Sequence, residues 1–309
     1  MAALNIHLFM NKYISIVFRN QFGQLPFSQP IFRTEFFNMD GSFSLKGKVV
    51  VVTGATGVLG EAFIASIAAA GGKIALIGRN REVAEQRAAA VLSGGGDALA
   101  VVADVLDKHQ LEEGLKQIMD RYGRIDALVN GAGGNIKEAV IDPSADIFSI
   151  DMEATRKVFE LNLFGSLLPV QVFGHAMVQS GGGSIINISS MASEQVITKV
   201  LGYSMAKAAI DNYTRWMSVE LANRFGEKIR MNAIAPGFFI TDQNRALLTN
   251  TDGSMTPRGQ SVINNTPYKR FGRPNELCGA LVWLLSDASS FVSGQTIYVD
   301  GGFSVFSGV

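Results

Sequence analysis

"TGATGVLG", residues 53–60, carries glycines at positions 54, 57 and 60. The dinucleotide fingerprint G-x-G-x-x-G sets its first two glycines only two apart, so the spacing alone does not settle what this stretch does. Its context says more. The apolar run KVVVVTG (48–54) precedes it and the alanine-rich VLGEAFIASIAAAG (58–71) follows, so the glycines turn the chain from a buried strand into a helix. Glycines there let the backbone approach a pyrophosphate, and the helix N-terminus offers free N–H groups and the positive end of its dipole. Gly54, Thr56, Gly57, Val58 and Leu59 are the residues such a loop lays against a dinucleotide. A glycine-rich turn that binds nothing fits the same letters.

Downstream, KIALIG, ALAVVAD, DALVNGAG, SIINISS, IRMNAIAPG and TIYVDGG repeat the pattern of the first strand. Their near-continuous Val, Ile and Leu content is that of strands covered on both faces. Helical patterns over 58–70, 81–93, 107–122, 152–179, 203–225 and 275–286 lie between them. Alternating strands and helices predict an α/β fold, a Rossmann-type doubly wound parallel sheet in a single domain over 39–309. Two segments, 134–151 and 238–272, exceed ordinary connections. Both follow strand ends, where open α/β sheets bind ligands, and the second is expected to close as a lid.

Composition narrows the function. Twenty-seven basic and 27 acidic residues give zero formal charge, and no Lys/Arg block is present. That speaks against nucleic acid or an acidic membrane surface as partner. The single Cys278 cannot form an intramolecular disulfide, which makes a cytoplasmic setting the default. With the scattered His7, His109 and His175 it makes no ligand set of usual metal spacing, so no metal is expected. No uninterrupted apolar run approaches the ~20 residues that span a bilayer. Residues 1–38 show no steady period, apolar signal core or cleavage site. They are expected to be a disordered leader outside the fold, with Met39 a candidate start.

The second strand ends in LIGRN, where an enzyme selecting NAD commonly carries an acid for the ribose hydroxyls. Here stand Gly78, Arg79 and Asn80, so no carboxylate repels a 2′-phosphate and the residues lean towards NADP(H). Arg79 as a solvated charge, or stacked on adenine, is the other reading. Asp104, after ALAVVA, is placed for the adenine amino group or for capping the next helix. In YSMAK, Tyr203 and Lys207 are four apart and share one helix face. A tyrosine near its ordinary pKa of about 10 is a poor acid–base group, and a neighbouring ammonium lowers it. Ser190 ends a buried strand 13 residues earlier, and Asn162 lies within the preceding long helix.

Taken in order, TGATGVLG, ADV, LVNGAG, NLFG, IINISS, YSMAK, IAPGFFIT and the final RFGRP…LLSDASSFVSGQTIYVDGG resemble the short-chain dehydrogenase/reductase family, in its compact branch. The resemblance covers about residues 45–309 and implies an NAD(P)-dependent oxidoreductase. Tyr203 would then exchange a proton with the substrate oxygen, and Lys207 would lower its pKa and hold the nicotinamide ribose. Ser190 would bond the reacting carbonyl, and Asn162 would hold a water linking Lys207 to solvent. Asn80, Val105, Asn130, Ala132, Pro236, Gly237, Phe239 and Thr241 would complete the cofactor site, Thr241 at the carboxamide. Two departures stand out: Val58, where the compact branch usually has its middle glycine, and Gly131, where Asn is commoner. The resemblance also implies a homo-oligomer, a tetramer, with the tail FSVFSGV near a neighbour.

Within the family, GAGGN, ELNLFGSLLPVQVF, APGFFITDQNRALL, NNTPYKRFG and VDGGFSVFSGV are similar to a sugar-acid subgroup, the D-mannonate oxidoreductases (fructuronate reductases). A keto sugar acid needs a cation for its carboxylate and polar groups for its hydroxyls. Asn135, Lys199, Gln243, Asn244 and Arg245 are the candidates. Arg245 comes first for the carboxylate because its planar fork suits bidentate binding, although a surface helix charge is an equal reading. A reductase of 3-oxoacyl thioesters or gluconate-type keto acids, an epimerase and a non-catalytic cofactor sensor are the rival functions.

Overall fold

Seven strands pair in parallel in the order β3-β2-β1-β4-β5-β6-β7. They are β1 (Val49–Thr53), β2 (Lys73–Gly78), β3 (Asp97–Val102), β4 (Ala127–Asn130), β5 (Gly183–Ile188), β6 (Ile229–Pro236) and β7 (Thr296–Val299). The computed structural model describes residues 39–308 apart from Gln243. The expectations for residues 1–38 and for Gln243 lie outside the described residues. Asp40–Val309 form one compact unit.

Alternation of side chains across the strands builds two cores, because successive Cβ atoms point to opposite faces. Val50, Val52, Ile74, Leu76, Val129 and Ile186 face one side. They meet α1 (Val58–Ala69) through Phe63, Ile64 and Ile67, α2 (Arg81–Ser93) through Ala88 and Val91, and the last helix, Cys278–Leu285, through Leu281 and Leu284. Val49, Val51, Ala75, Ile77, Leu128 and Met231 face the other. There they meet α3 (Lys108–Tyr122), α4 (Met152–Gln179) and α5 (Leu201–Phe225) through Leu111, Phe173, Met177 and Leu221. Register brings Val51 opposite both Ala75 and Leu128, so apolar rows continue across the sheet. By length and composition α4 alone among the described helices could cross a membrane, and half of its apolar window is buried inside the protein.

The strand order reverses between β1 and β4, which opens a crevice at their carboxyl ends. The helix expected over 107–122 begins at Lys108 because Asp107 caps it, accepting from Gln110 N at 3.1 Å. The alternative that Asp104 caps this helix is thereby corrected. The long 238–272 segment contains two helices that periodicity did not announce, α6 (Arg245–Leu248) and α7 (Pro257–Asn265). With these, Cys278–Leu285 is α8. Inside α4 the turn Glu160–Phe164 is π-helical, and Asn162 sits in it. Such widened turns recur at functional sites.

Candidate active site

The glycine loop is fixed by close approach at two of its three glycines. Gly54 has φ +67°, and a Cβ on it would stand 2.5 Å from the Gly131 carbonyl carbon and oxygen. A Cβ on Gly60 would overlap the Gly54 oxygen. Gly57 is different. It is exposed, its φ of −84° suits any residue, and a Cβ there would meet only the Gly54 oxygen, at 3.4 Å. The protein's own packing therefore does not require glycine at 57; open space over the helix N-terminus is what a pyrophosphate needs. Val58 and Leu59 are half-buried in the first turn of α1, and Thr56 lies against Gly78, where a Cβ would be 2.6 Å from the threonine methyl. Gly131 is just as confined, since a Cβ would stand 2.8 Å from Thr53 O.

Arg87 of α2, which sequence reasoning passed over, secures this loop. One guanidinium nitrogen donates to the carbonyls of both Ala55 and Gly57, the latter at 2.8 Å, and the other pairs with Glu61 at 3.0 Å. At the adenosine end Arg79 is exposed and stands 3.7 Å from Asp104. Asn80 caps α2 through Val83 N at 3.1 Å, so its side-chain oxygen serves the helix. Val105 is buried against Gly165, and Phe239 is in the core. Asn130 is buried at the crevice. Its Nδ2 donates to Asn187 at 2.9 Å, which in turn donates to Thr214 of α5 at 2.9 Å. Its Oδ1 is buried without a partner among the described residues, an acceptor facing no donor. Ala132, half-buried after β4, donates its N–H to Thr53 Oγ1 at 3.3 Å. Glycine cradle, helix terminus and spare acceptor together fit a dinucleotide.

The reacting end assembles from three elements. Ser190 follows β5; its Oγ accepts from Ala192 N at 3.1 Å, leaving its proton to donate. Tyr203 and Lys207 share one face of α5, and Lys207 Nζ stands 5.5 Å from the centre of the Tyr203 ring. Burial pushes the Tyr203 phenol up, and a hydrogen bond with Ser190 draws it back. Lys207 is 3% exposed and donates to Ile188 O at 2.7 Å. Burial lowers its pKa to about 8 against the opposing pull of Asp211, a buried carboxylate one turn further along. Asn162 is buried; its Oδ1 accepts from Gly134 N at 2.9 Å, while its Nδ2 donates to Gly134 O and Val158 O. Only glycine at 133 permits this: a Cβ there would lie 2.7 Å from Asn162 Oδ1 and 3.3 Å from Lys207 Nζ.

Around this centre the sequence-based substrate candidates separate. Asn135 follows β4, and both polar atoms of its side chain are buried with no partner among the described residues. Lys199 has φ +75°, a left-handed backbone that a side chain disfavours, and its carbonyl accepts from Ile141 N at 2.9 Å. The Asn244 amide is committed to the turn after β6: it accepts from Thr241 N at 2.8 Å and donates to Phe239 O at 2.7 Å. These two bonds brace the turn from Phe239 to Thr241. Arg245 is exposed on α6 and makes no ion pair among the described residues.

A family model described as enoyl-(acyl carrier protein) reductase matches residues 54–304. The oxidoreductase UxuB of Bacillus subtilis is 42% identical over 86% of this chain and 98% of its own length. A Haemophilus influenzae structure with bound NAD, provisionally assigned as a D-mannonate oxidoreductase, is 42% identical with a TM-score of 0.80, covering 88% of this chain and all of that one. A gluconate 5-dehydrogenase of Burkholderia cenocepacia, solved with NADP and tartrate, is 33% identical with a TM-score of 0.76 over 86% of this chain and 98% of that one. Fold, ordered motifs and these relatives agree: the chain belongs to the short-chain dehydrogenase/reductase family and is an NAD(P)-dependent oxidoreductase.

Proposed function

We propose that this enzyme interconverts a keto sugar acid and its alcohol, D-fructuronate and D-mannonate. The observation that carries the substrate class is Asn135. A buried amide with donor and acceptor both unpaired costs free energy unless a ligand completes it. A polyhydroxylated substrate offers both complements. In this reading Ser190 and Tyr203 donate to the substrate carbonyl oxygen, and Tyr203 delivers its proton as the alcohol forms. Lys207 steadies the phenolate left behind, and Asn162 holds Gly134 and the start of the Asn135 loop. A bound nicotinamide dinucleotide supplies or accepts the hydride. Gly54–Leu59, Arg79, Asp104, Asn130 and the turn at Pro236–Thr241 would hold it. Arg79 supports a lean towards NADPH: its pairing with Asp104 is long and exposed, which leaves the guanidinium open to a 2′-phosphate. The same reading places the enzyme in the cytoplasm as a homotetramer.

The test is reduction of D-fructuronate by the purified protein, followed by loss of reduced-nicotinamide absorbance with NADH and NADPH in parallel. Turnover that falls roughly 10²–10⁴-fold in Tyr203→Phe, with cofactor binding retained, supports both substrate and proton donor. No turnover with either cofactor, in protein that binds one, rejects the sugar-acid substrate and directs the assay to gluconate-type keto acids and 3-oxoacyl thioesters.

A further inference from the structure

Three loops beyond the strand ends meet at one dipeptide, Thr198–Lys199. The 134–151 loop, which carries Asn135, reaches it through the bond from Ile141 N to Lys199 O at 2.9 Å. The 190–203 segment, bounded by Ser190 and Tyr203, contains it. The 238–272 segment reaches it through Arg258 at the start of α7. The Arg258 guanidinium donates to Thr198 O at 3.0 Å and to Thr198 Oγ1 at 3.3 Å. Lys199, at the junction, holds its left-handed backbone, a kind of strain that persists where surrounding structure enforces it and often at ligand clamps.

Arg258 is half-buried, yet among the described residues no carboxylate lies within ion-pair distance of it. Burial lowers its pKa with no neighbouring acid acting in the other direction. Arg87, Arg124 and Arg270 do have such partners, in Glu61, Asp126 and Glu276; the buried Arg230 shares the lack of an ion pair, but it lies under the far end of the sheet on Ser286 O, away from these loops. A cation partly withdrawn from water and given only two neutral oxygens is poorly compensated. Guanidinium has five N–H donors in a planar fork, and the two bonds to Thr198 leave three, enough for a bidentate carboxylate.

We infer that Arg258 is the residue that recognises the carboxylate of the substrate, with Thr198 orienting its guanidinium and the α7 segment carrying it over the reacting centre. This inference rests on the keto-acid reading above and replaces Arg245 as the first choice for that role. Arg245 lies on exposed α6 with no second element orienting it.

The experiment compares wild type, Arg258→Gln, Arg258→Lys and Arg245→Gln with two substrates, D-fructuronate and its uncharged counterpart D-fructose, using the better cofactor. Preference of the wild type for the acid tests the keto-acid reading by itself. The inference expects Arg258→Gln to raise KM for the acid roughly 10- to 100-fold. The kcat, the cofactor KM and the low activity on the neutral ketose should stay within about twofold, and Arg258→Lys should recover part of the loss. An unchanged acid KM in Arg258→Gln, or a larger effect from Arg245→Gln, overturns the inference while leaving the reading intact. Equal losses on acid and neutral substrates also overturn it, since they mark a purely structural role. A wild type that does not prefer the acid overturns both.

Discussion

The role proposed for Lys207 conflicts with its own burial. Its pKa falls from 10.5 to about 8 because the folded chain removes the ammonium from water, with Asp211 offsetting part of the effect. Between those values the unfolded chain binds a proton on this side chain that the folded chain has released. Stability from this residue therefore rises with pH from about 8 to 10.5, and the full penalty, about 3 kcal/mol, is present below pH 8. Lys207→Met keeps an apolar stem and removes the charge. Losing the bond to Ile188 O returns about 1 kcal/mol of that gain. The variant should melt roughly 3–4 °C higher than wild type at pH 7, lose turnover, and lose the stability increment between pH 8 and 10.5. Calorimetry across that range checks it; a variant less stable than wild type at pH 7 would show that the ammonium is better compensated in the fold than Asp211 alone provides.

At the level of elements, the glycine loop is held as much by α2 as by its own glycines. Arg87 ties two loop carbonyls to a helix two elements away, so the loop geometry does not depend on the middle glycine standing at 57 or 58. Arg87→Met should raise the cofactor dissociation constant about tenfold or more, because the Ala55 carbonyl loses its donor and the Gly57 carbonyl keeps only the Glu61 N–H. The kcat at saturating cofactor should change much less, since Tyr203, Ser190 and Lys207 rest on β5 and α5. Titration of cofactor fluorescence separates the two, and a kcat loss without a binding loss would refute the clamp. None of this was visible as pattern, because the partners of Arg87 are backbone oxygens 30 and 32 residues away. The strands were legible, since burial on both faces leaves continuous Val and Ile. Ser190 at a strand end and Tyr203 and Lys207 on one helix face were legible as positions, while the roles proposed for them came from the family resemblance. Asn162 was legible as a residue but its widened turn was not, for a single π turn leaves no period. The α7 helix did carry a signal: Thr256 caps it through Gly259 N at 3.0 Å and Pro257 opens it, and that Thr-Pro pair could have been read as a helix start.

For the whole molecule, α5 presents two faces with different work. Tyr203, Lys207, Ile210 and Thr214 point towards the sheet and the site. Leu201, Met205, Trp216 and Val219 are exposed, Trp216 at 60% and Val219 at 58%. At 100° per residue those four lie within about 60° of one another, on the side of the helix away from Lys207. A row of large exposed apolar side chains along one helix face is a candidate association surface. Phe164, 49% exposed on α4, adds a further apolar group from the widened turn that contains Asn162. A second copy laid on this stripe by a two-fold axis would cover the same residues on both chains, since such interfaces are self-complementary. It would also brace the rear of the helix that carries Tyr203 and Lys207. If this surface associates, the wild-type enzyme should sediment as a multiple of its 33.2 kDa chain, and Trp216→Glu, which puts a charge on its most exposed member, should shift it to a smaller species at micromolar concentration. If the stripe also supports the site, the smaller species should lose activity in step with dissociation and regain it on concentration. A wild type that remains monomeric at tens of micromolar, or a Trp216→Glu variant of unchanged mass, would remove this surface from the assembly.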